Sequence, residues 1–537
     1  SPWAFYALLP ENISATSFNS DIVIEQSFFV MPGADSSIKL LAENSIIAGS
    51  DRTITSTLIS SLKHLPSSGL PGIADPVREK VSPPFLQEIQ ERTNEIGRVF
   101  EVDPGLKSFI IANSGDIVSK TAWELGIEKE SYIEAGRDIL TPKFNLLHND
   151  NAHVSRVIAG RDINIPTERD PSTGSLPISS PGGISLEGLG VLMVQAGRNI
   201  NLGASDGIRT LGDTKNTFLA DDGADLYVLA GISSEPNFEQ FASLYPLSYS
   251  DEKPRDLQLY DHFLEELKNA GEKAIASTDG ASAYDPAYVL VDSLFPGSTD
   301  KTGPWSGDIS LVFSTLQTED GGDVNIFTPG GGVDVGLTSN LIRREAAGLG
   351  IFTKTTGSIL AFSEGSIEVN LSRIFALNGG DVMLWSSNGD IDAGKGARST
   401  QSLPPPLITV NEGGEINVTF SAAIDGSGIG GFTQPGVEPG DVFLFAPRGV
   451  VDAGEAGIRV EGNLQIGGEL LNADNVDVGG VSVGVPTDTG VSAGMAGLGS
   501  LASSSTDAAT ENVSGAADES SQQQAAFLTV EIIGLGD

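Results

Sequence analysis

One sixteen-residue phrase recurs three times without a gap, as Gly321–Gly336 (GGDVNIFTPGGGVDVG), Gly379–Gly394 (GGDVMLWSSNGDIDAG) and Pro439–Gly454 (PGDVFLFAPRGVVDAG). Each copy carries Gly-Asp-Val, one variable residue, two large apolar residues, a short turn, a β-branched apolar residue, Asp, a small residue and Gly. That pattern is strand, turn, strand, turn. A unit this small cannot bury its apolar face alone and must stack on copies of itself, so the chain is expected to be a β-solenoid. The units begin at 321, 379 and 439, intervals of 58 and 60 residues, which are too long for one coil and sized for two or three.

A second signature, Ala-Gly-Arg-(Asp/Asn)-Ile, occurs at Ala135–Ile139, Ala159–Ile163 and Ala196–Ile200; the first two lie 24 residues apart, close to one coil. It reads as a coil corner. Glycine would supply the positive φ of a tight turn, Asp or Asn would cap that turn with its own side chain, and Ile would restart the inward strand. Arg137, Arg161 and Arg198 then sit outside, paired with nearby carboxylates in preference to forming an anion- or carbohydrate-binding row.

In order, residues 1–60 read as the first rungs and 61–107 as a Pro-rich insertion. Phe85–Phe100 in that insertion has a partly one-sided apolar pattern and is expected to be a helix against the flank or end of the solenoid. Rungs resume over 108–232. Residues 233–300 break the β pattern, and Asp256–Ala270 predicts a helix with Leu257, Tyr260, Phe263, Leu264 and Leu267 on one face and Asp256 as N-cap. His262 in that helix reads as structural. Residues 301–486 are rungs again, with Pro404–Pro406 marking a loop that leaves the body. Residues 487–525 form a Ser/Ala-rich linker and 526–537 a terminal β-strand, whose Phe527, Leu528, Val530, Ile532 and Ile533 are suited to pairing with a sheet edge of its own or a neighbouring chain.

The 537-residue chain has no cysteine, which excludes disulfides and thiol chemistry, and 71 acidic against 31 basic residues give a formal charge of −40. Nucleic acid is therefore excluded as a natural partner, whereas divalent cations and cationic surfaces are favoured. No apolar run is long enough for a transmembrane helix. No secretory leader opens the sequence at Ser1, so the chain is expected to be the C-terminal piece of a longer precursor.

The chain resembles the C-terminal region of filamentous-haemagglutinin-family exoproteins, which leave the cell by two-partner secretion. The likeness is carried by Val194–Gly203 (VQAGRNINLG), Val451–Ile458 (VDAGEAGI), Leu471–Asn475 (LNADN) and the ending Leu528–Asp537. It implies a right-handed parallel β-helix, an extracellular or cell-surface location, an outer-membrane transporter during secretion, and an adhesive or structural role with no catalytic residues. The insertions depart from the family pattern.

Chemistry is sparser. Asp334, Asp392 and Asp452 share one repeat position; two or three rungs of ~4.8 Å would set them roughly 10–14 Å apart, as turn-capping residues. Asp320, Asp323, Asp390, Asp392, Asp474 and Asp477 are candidate Ca²⁺ ligands, though the tandem nonapeptide calcium pattern is missing. His64, His148, His153 and His262 are scattered; His148 and His153 share a polar loop with Asp150 that hints weakly at a metal. Taken with what the resemblance implies, the chain is expected to be a non-enzymatic secreted adhesin, or a subunit of an extracellular filament, sheath or biofilm matrix. It would self-associate into a polymer through the terminal strand, with surface or matrix polysaccharide as a further partner and no cofactor. The alternatives are a polysaccharide-degrading β-helix lyase or glycoside hydrolase, which needs paired carboxylates in a cleft, and a calcium-dependent carbohydrate-binding module.

Overall fold

Three parallel ladders run the length of the described chain. The structure, a computed structural model, describes residues 7–9, 12–25, 28–30, 37–49, 61–64, 107–120, 123–127, 129–166, 182–214, 219, 222–336, 349–395, 407–410, 416–419, 426–434 and 436–485. Each coil contributes one strand to each ladder in turn, except that the thirteenth has no described strand on ladder III. Ladder I, a 13-stranded sheet, begins at Ala7–Leu9 and ends at Val476–Val478. Ladders II and III together form the 23-stranded sheet: II runs from Asn12–Ser17 to Ser482–Val483, and III from Ile22–Ile24 through short strands such as Ile139–Leu140. Among the described residues this makes thirteen coils of a parallel β-helix, the solenoid that the repeats require.

Pairing is in register, so like stacks on like. On ladder III, Ile117, Ile139, Ile163, Ile200, Ile309, Val333, Ile367, Ile391 and Val451 occupy one inward column. Each is at most 5% exposed. β-Branched side chains suit such a column because their restricted rotamers fill a pleated, buried surface. Inward residues of ladders I and II, among them Leu186, Val194, Leu316 and Leu384, complete one continuous core.

The two repeat signatures are corners. Gly-Asp-Val turns the chain from ladder I to II, and Ala-Gly-Arg-(Asp/Asn)-Ile turns it from II to III. The glycines of the second signature do not adopt positive φ, contrary to the expectation from sequence. Their role is steric. A Cβ on Gly136 would lie 2.1 Å from the carbonyl oxygen of Asn113 on the coil below, one on Gly160 2.3 Å from that of Gly136, and one on Gly197 2.2 Å from that of Gly160. At the other corner Gly357, Gly380, Gly440 and Gly462 stack in the same way, each Cβ falling 1.7–2.3 Å from the preceding backbone oxygen.

Repeat spacing needs one correction. The 58-residue interval spans two coils, but the 60-residue interval spans one coil plus an excursion that holds the antiparallel hairpin Leu407–Val410 with Ile416–Thr419. Pro404–Pro406 lies outside the described residues. Asp334 and Asp392 stand two rungs apart with Glu368 between them, as expected, whereas Asp392 and Asp452 are register neighbours.

Residues assigned to the two insertions behave differently. Ser61–His64, placed in the first insertion by sequence, is the third strand of ladder I; the predicted helix Phe85–Phe100 lies outside the described residues, as do the linker and terminal strand over 487–537. The second insertion folds into α1 (Phe238–Leu244), α2 (Arg255–Ala276), a 3₁₀ turn (Gly280–Tyr284) and α3 (Asp285–Leu294). Helix α2 buries Leu257, Tyr260, Phe263, Leu264 and Leu267, the predicted face. Its N-cap is Pro254, without a side-chain cap bond, so Asp256 falls in the first turn and pairs instead with Arg156 at 2.9 Å. His262 packs against Phe241, ring centroids 5.8 Å apart, as a structural side chain.

The helices lie flat on the outward face of ladder II. That face carries Tyr227, Phe327, Phe362, Met383, Trp385 and Phe445, all 0% exposed beneath the insertion. Tyr260 meets Phe327 at 4.7 Å, Phe263 meets Phe362 at 5.2 Å, and further along the axis Glu272 accepts from Gln465 at 2.9 Å. Ladder II is thus buried on both faces over these coils, which is why its strands read as unbroken apolar runs.

Gly380→Ala places a methyl against backbone that cannot retreat without parting two coils. We expect a loss of ~2–3 kcal/mol, seen in thermal unfolding followed by circular dichroism as a melting point several degrees below that of the parent chain.

Candidate binding surfaces

Each corner is stitched by a column of short polar side chains. At the corner from I to II, the Oδ1 of Asp225 accepts the backbone N–H of Asp323 (2.9 Å), Asp323 that of Ser358 (2.7 Å), Asp381 that of Asp441 (2.9 Å) and Asp441 that of Asn463 (2.9 Å). At the corner from II to III, Asp116, Asp138, Asp162, Asn199 and Asp308 repeat the arrangement, each accepting from the next coil at 2.8–3.1 Å. Asp138, Asp162 and Asn199 were expected from sequence to cap their own turns; the geometry has them capping the neighbour's, because the next coil's amide is the unpaired donor within reach.

The arginines of this corner pair with carboxylates of coils below, as expected. Arg161 donates two bonds to Asp138, Arg198 bonds Asp162, and Arg137 lies 3.5 Å from Asp116. Burial would raise the Asp138 carboxyl, but Arg161, the Asp162 amide and Arg198 hold it below the usual carboxylate range.

On the eighth to eleventh coils ladder III carries a carboxylate column, Asp334, Glu368, Asp392 and Asp452. Asp334 accepts from the Gly336 amide (3.3 Å) and Asn370 (2.7 Å), Asp392 from Gly394 (2.8 Å), and Asp452 from Gly454 (2.8 Å) and Asn472 (2.6 Å). These are the turn caps the sequence indicated. Burial, then repulsion from Asp334, Asp392 and Asp390, raises the pKa of Glu368; burial raises that of Asp334 against the bonds it accepts.

Of the candidate calcium ligands, Asp323 and Asp390 are corner stitches, the latter accepting from Val450 at 2.8 Å. Asp392 is a turn cap, and Asp320 accepts from the Asp213 amide at 3.3 Å. Asp474 sits in the 3₁₀ turn Ala473–Asn475, and Asp477 on the last strand of ladder I beside Arg459. Among the described residues no three His, Asp or Glu side chains converge as a metal site would. His148 and His153 do adjoin, ring centroids 5.5 Å apart, but His148 is fully buried with its nitrogens on Ser155 (2.7 Å) and the Leu189 carbonyl (3.1 Å). Burial drives its pKa down to about 3, so it stays neutral.

Sequence reasoning missed a charged cluster beneath the helices. Lys253 lies 2.7 Å from Asp225 and 3.0 Å from Asp261, and Tyr227 donates to Asp261. Burial, and then repulsion from Asp225, pushes Asp323 up to about 6. The signal was available only as Lys253 near the head of the insertion. A polysaccharide-cleaving reading needs raised carboxylates in a cleft. The groove at the head of α2, about 830 Å³, is lined by Tyr132, Arg156, Glu235, Phe238, Arg255 and Asp256, while the raised Asp261 and Asp323 are bonded to Lys253, Tyr227 and the Ser358 amide.

Residues 379–487 match a family model described as "Filamentous haemagglutinin family outer membrane protein". That stretch takes in the last two repeat units and the last three coils. No curated protein and no solved structure matches the chain significantly.

Two pH dependences follow. A raised carboxylate costs stability above its folded pKa and regains it as pH falls toward the unfolded value. Asp323→Asn keeps the bond to Ser358 and removes the charge; its melting point is expected to exceed the parent's by about 1–3 °C at pH 7.5, with the gap closing between pH 6 and pH 4. His148 has the opposite sign, since a lowered base costs stability as pH falls below the unfolded 6.5. His148→Gln should therefore melt lower than the parent at pH 7.5 but show a shallower further decline between pH 6.5 and pH 4.5, measured in the same scans.

Proposed function

We propose, from a C-terminal region that carries a filamentous-haemagglutinin-family domain, that this chain is the terminal part of a secreted or surface-located adhesin or structural subunit. In this reading it works by displaying a long stacked surface and not by catalysis. The observation that carries the reading is the uninterrupted parallel stacking of coils across the family-matched segment and well beyond it. Such a body offers a stiff array with repeating outward chemistry, suited to binding extended ligands or lattice neighbours. No described helix is long and apolar enough to cross a membrane. Passage through an outer-membrane transporter accords with the family description.

Assembly into a filament, sheath or matrix is the finer part of the proposal. Among the described residues the last coil, Val476–Val478 and Ser482–Val483, has no strand paired beyond it, and Val481 and Val483 are 68% and 42% exposed there. We assign the segment of Phe527, Leu528, Val530, Ile532 and Ile533 to strand addition on the edge of another copy, which would satisfy the open backbone groups. The carboxylate columns would favour cationic or polyol surfaces over nucleic acid.

Electron microscopy of the purified chain, with and without residues 487–537, tests this. Polymers or rod-on-rod contacts that disappear on truncation are expected, together with retention of the full-length chain on cell-surface or matrix polysaccharide. Polymers unchanged by truncation would remove the strand-addition part, and dispersed rods that bind no surface would remove the reading itself.

A further inference from the structure

The outward columns of ladder II change character between the fifth and sixth coils. From Met193 onward the large apolar side chains are buried under the helices. Before it, Leu41, Phe109, Ile111, Tyr132 and Ile158 point outward and are only partly buried. They are stacked in register, Leu41 on Ile111 and Phe109 on Tyr132, with Glu134 standing between Ile111 and Ile158 on the intervening coil. The strip leads directly into the groove at the head of α2, which Tyr132, Arg156 and Ile158 line.

We propose that this strip is the docking site of residues 85–100 of the same chain, laid along the solenoid axis as α2 is laid along the later coils. Topology is the first reason. The chain leaves ladder I after His64 and rejoins ladder II at Ser108, so the 43 residues between them are tethered at both ends to the third coil, in the middle of the strip. Length is the second. Sixteen helical residues rise ~24 Å, and the strip's successive coils, at ~4.8 Å each, span a comparable 15–24 Å. Chemistry is the third: Phe85, Leu86, Ile89 and Ile96 supply an apolar side, and Glu88, Glu91 and Glu95 together with Arg92 and Arg98 match the mixed charge of Lys39 and Glu134 on the strip. Continuity is the fourth, since the remainder of this same ladder is covered by an amphipathic helix from the other insertion.

The absence of native cysteine makes the test direct. Ile111→Cys and, separately, Ile158→Cys give single-thiol chains whose maleimide labelling rate reads the cover, with Val23→Cys, at a position 55% exposed, as the open reference. Each is compared with the same chain carrying a Gly/Ser linker of equal length in place of residues 85–100. Should that replacement not fold, the triple substitution Phe85→Ser, Ile89→Ser, Ile96→Ser serves instead. Labelling at both strip positions is expected to accelerate about tenfold or more when the segment is replaced, with no change at the reference. Equal rates in both chains overturn the proposal: both fast means a bare strip, both slow means another cover. Labelling that slows with rising protein concentration also overturns it, assigning the strip to a second copy.

Discussion

Every feature of the described body depends on one constraint: each coil's backbone must hydrogen-bond to the coil beneath it, in register, on all three sides. Parallel ladders tolerate no local escape, because a one-residue slip would turn every inward side chain outward. The constraint selects β-branched columns on ladder III, glycine wherever two corner backbones meet within reach of a Cβ, and a short acceptor wherever a corner amide would otherwise stay unpaired. Asp225, Asp323, Ser358, Asp381, Asp441 and Asn463 form one such column, and the exchange of Asp for Ser or Asn along it shows that the accepted bond, not the charge, is what the position needs.

The acidity of the chain then has a structural origin as well as a surface one. Stacking identical corners stacks identical carboxylates, and the repulsion is absorbed in three ways. Arginines at the corner of ladders II and III reach down to carboxylates below, Asn370 and Asn472 donate to the column on ladder III, and Lys253 enters from the insertion to join Asp225 and Asp261. Where none of these suffices, as at Asp323 and Glu368, the proton affinity rises instead. The helical insertion is therefore held by an ion cluster at its head and an aromatic face along its length.

The solenoid was legible in the sequence because its repeat is periodic: Gly-Asp-Val and Ala-Gly-Arg-(Asp/Asn)-Ile mark corners, and each ends on an inward β-branched residue, Val on ladder II and Ile on ladder III. The one-sided face of α2 was legible for the same reason. What the sequence hid was relational. It does not distinguish a glycine needed for φ from one needed for clearance, since Gly160 is explained only by the carbonyl of Gly136 on another coil. It does not distinguish a side chain capping its own turn from one capping the next coil. The second repeat interval hid a hairpin excursion inside a length that mimicked an extra coil. Where the helices lie was foreshadowed by runs such as Val382–Ser386 and Val442–Phe445, apolar on both faces, whereas strands of coils three and four alternate more nearly. The charged cluster around Lys253 joins residues from three separate stretches of chain, and no local pattern announces it.

The central claim is that coils rise by one ladder spacing each, without interruption, from the first to the last. Val23 on the first coil and Leu471 on the twelfth both lie on ladder III and are 55% and 40% exposed, and the cysteine-free chain allows spin labels at these two positions alone. Pulsed electron–electron resonance between them should give a single distance near 53 Å, eleven steps of ~4.8 Å, broadened only by the label linkers. A dominant distance below about 40 Å, or a distribution with no peak, would contradict continuous stacking and with it the surface-display account.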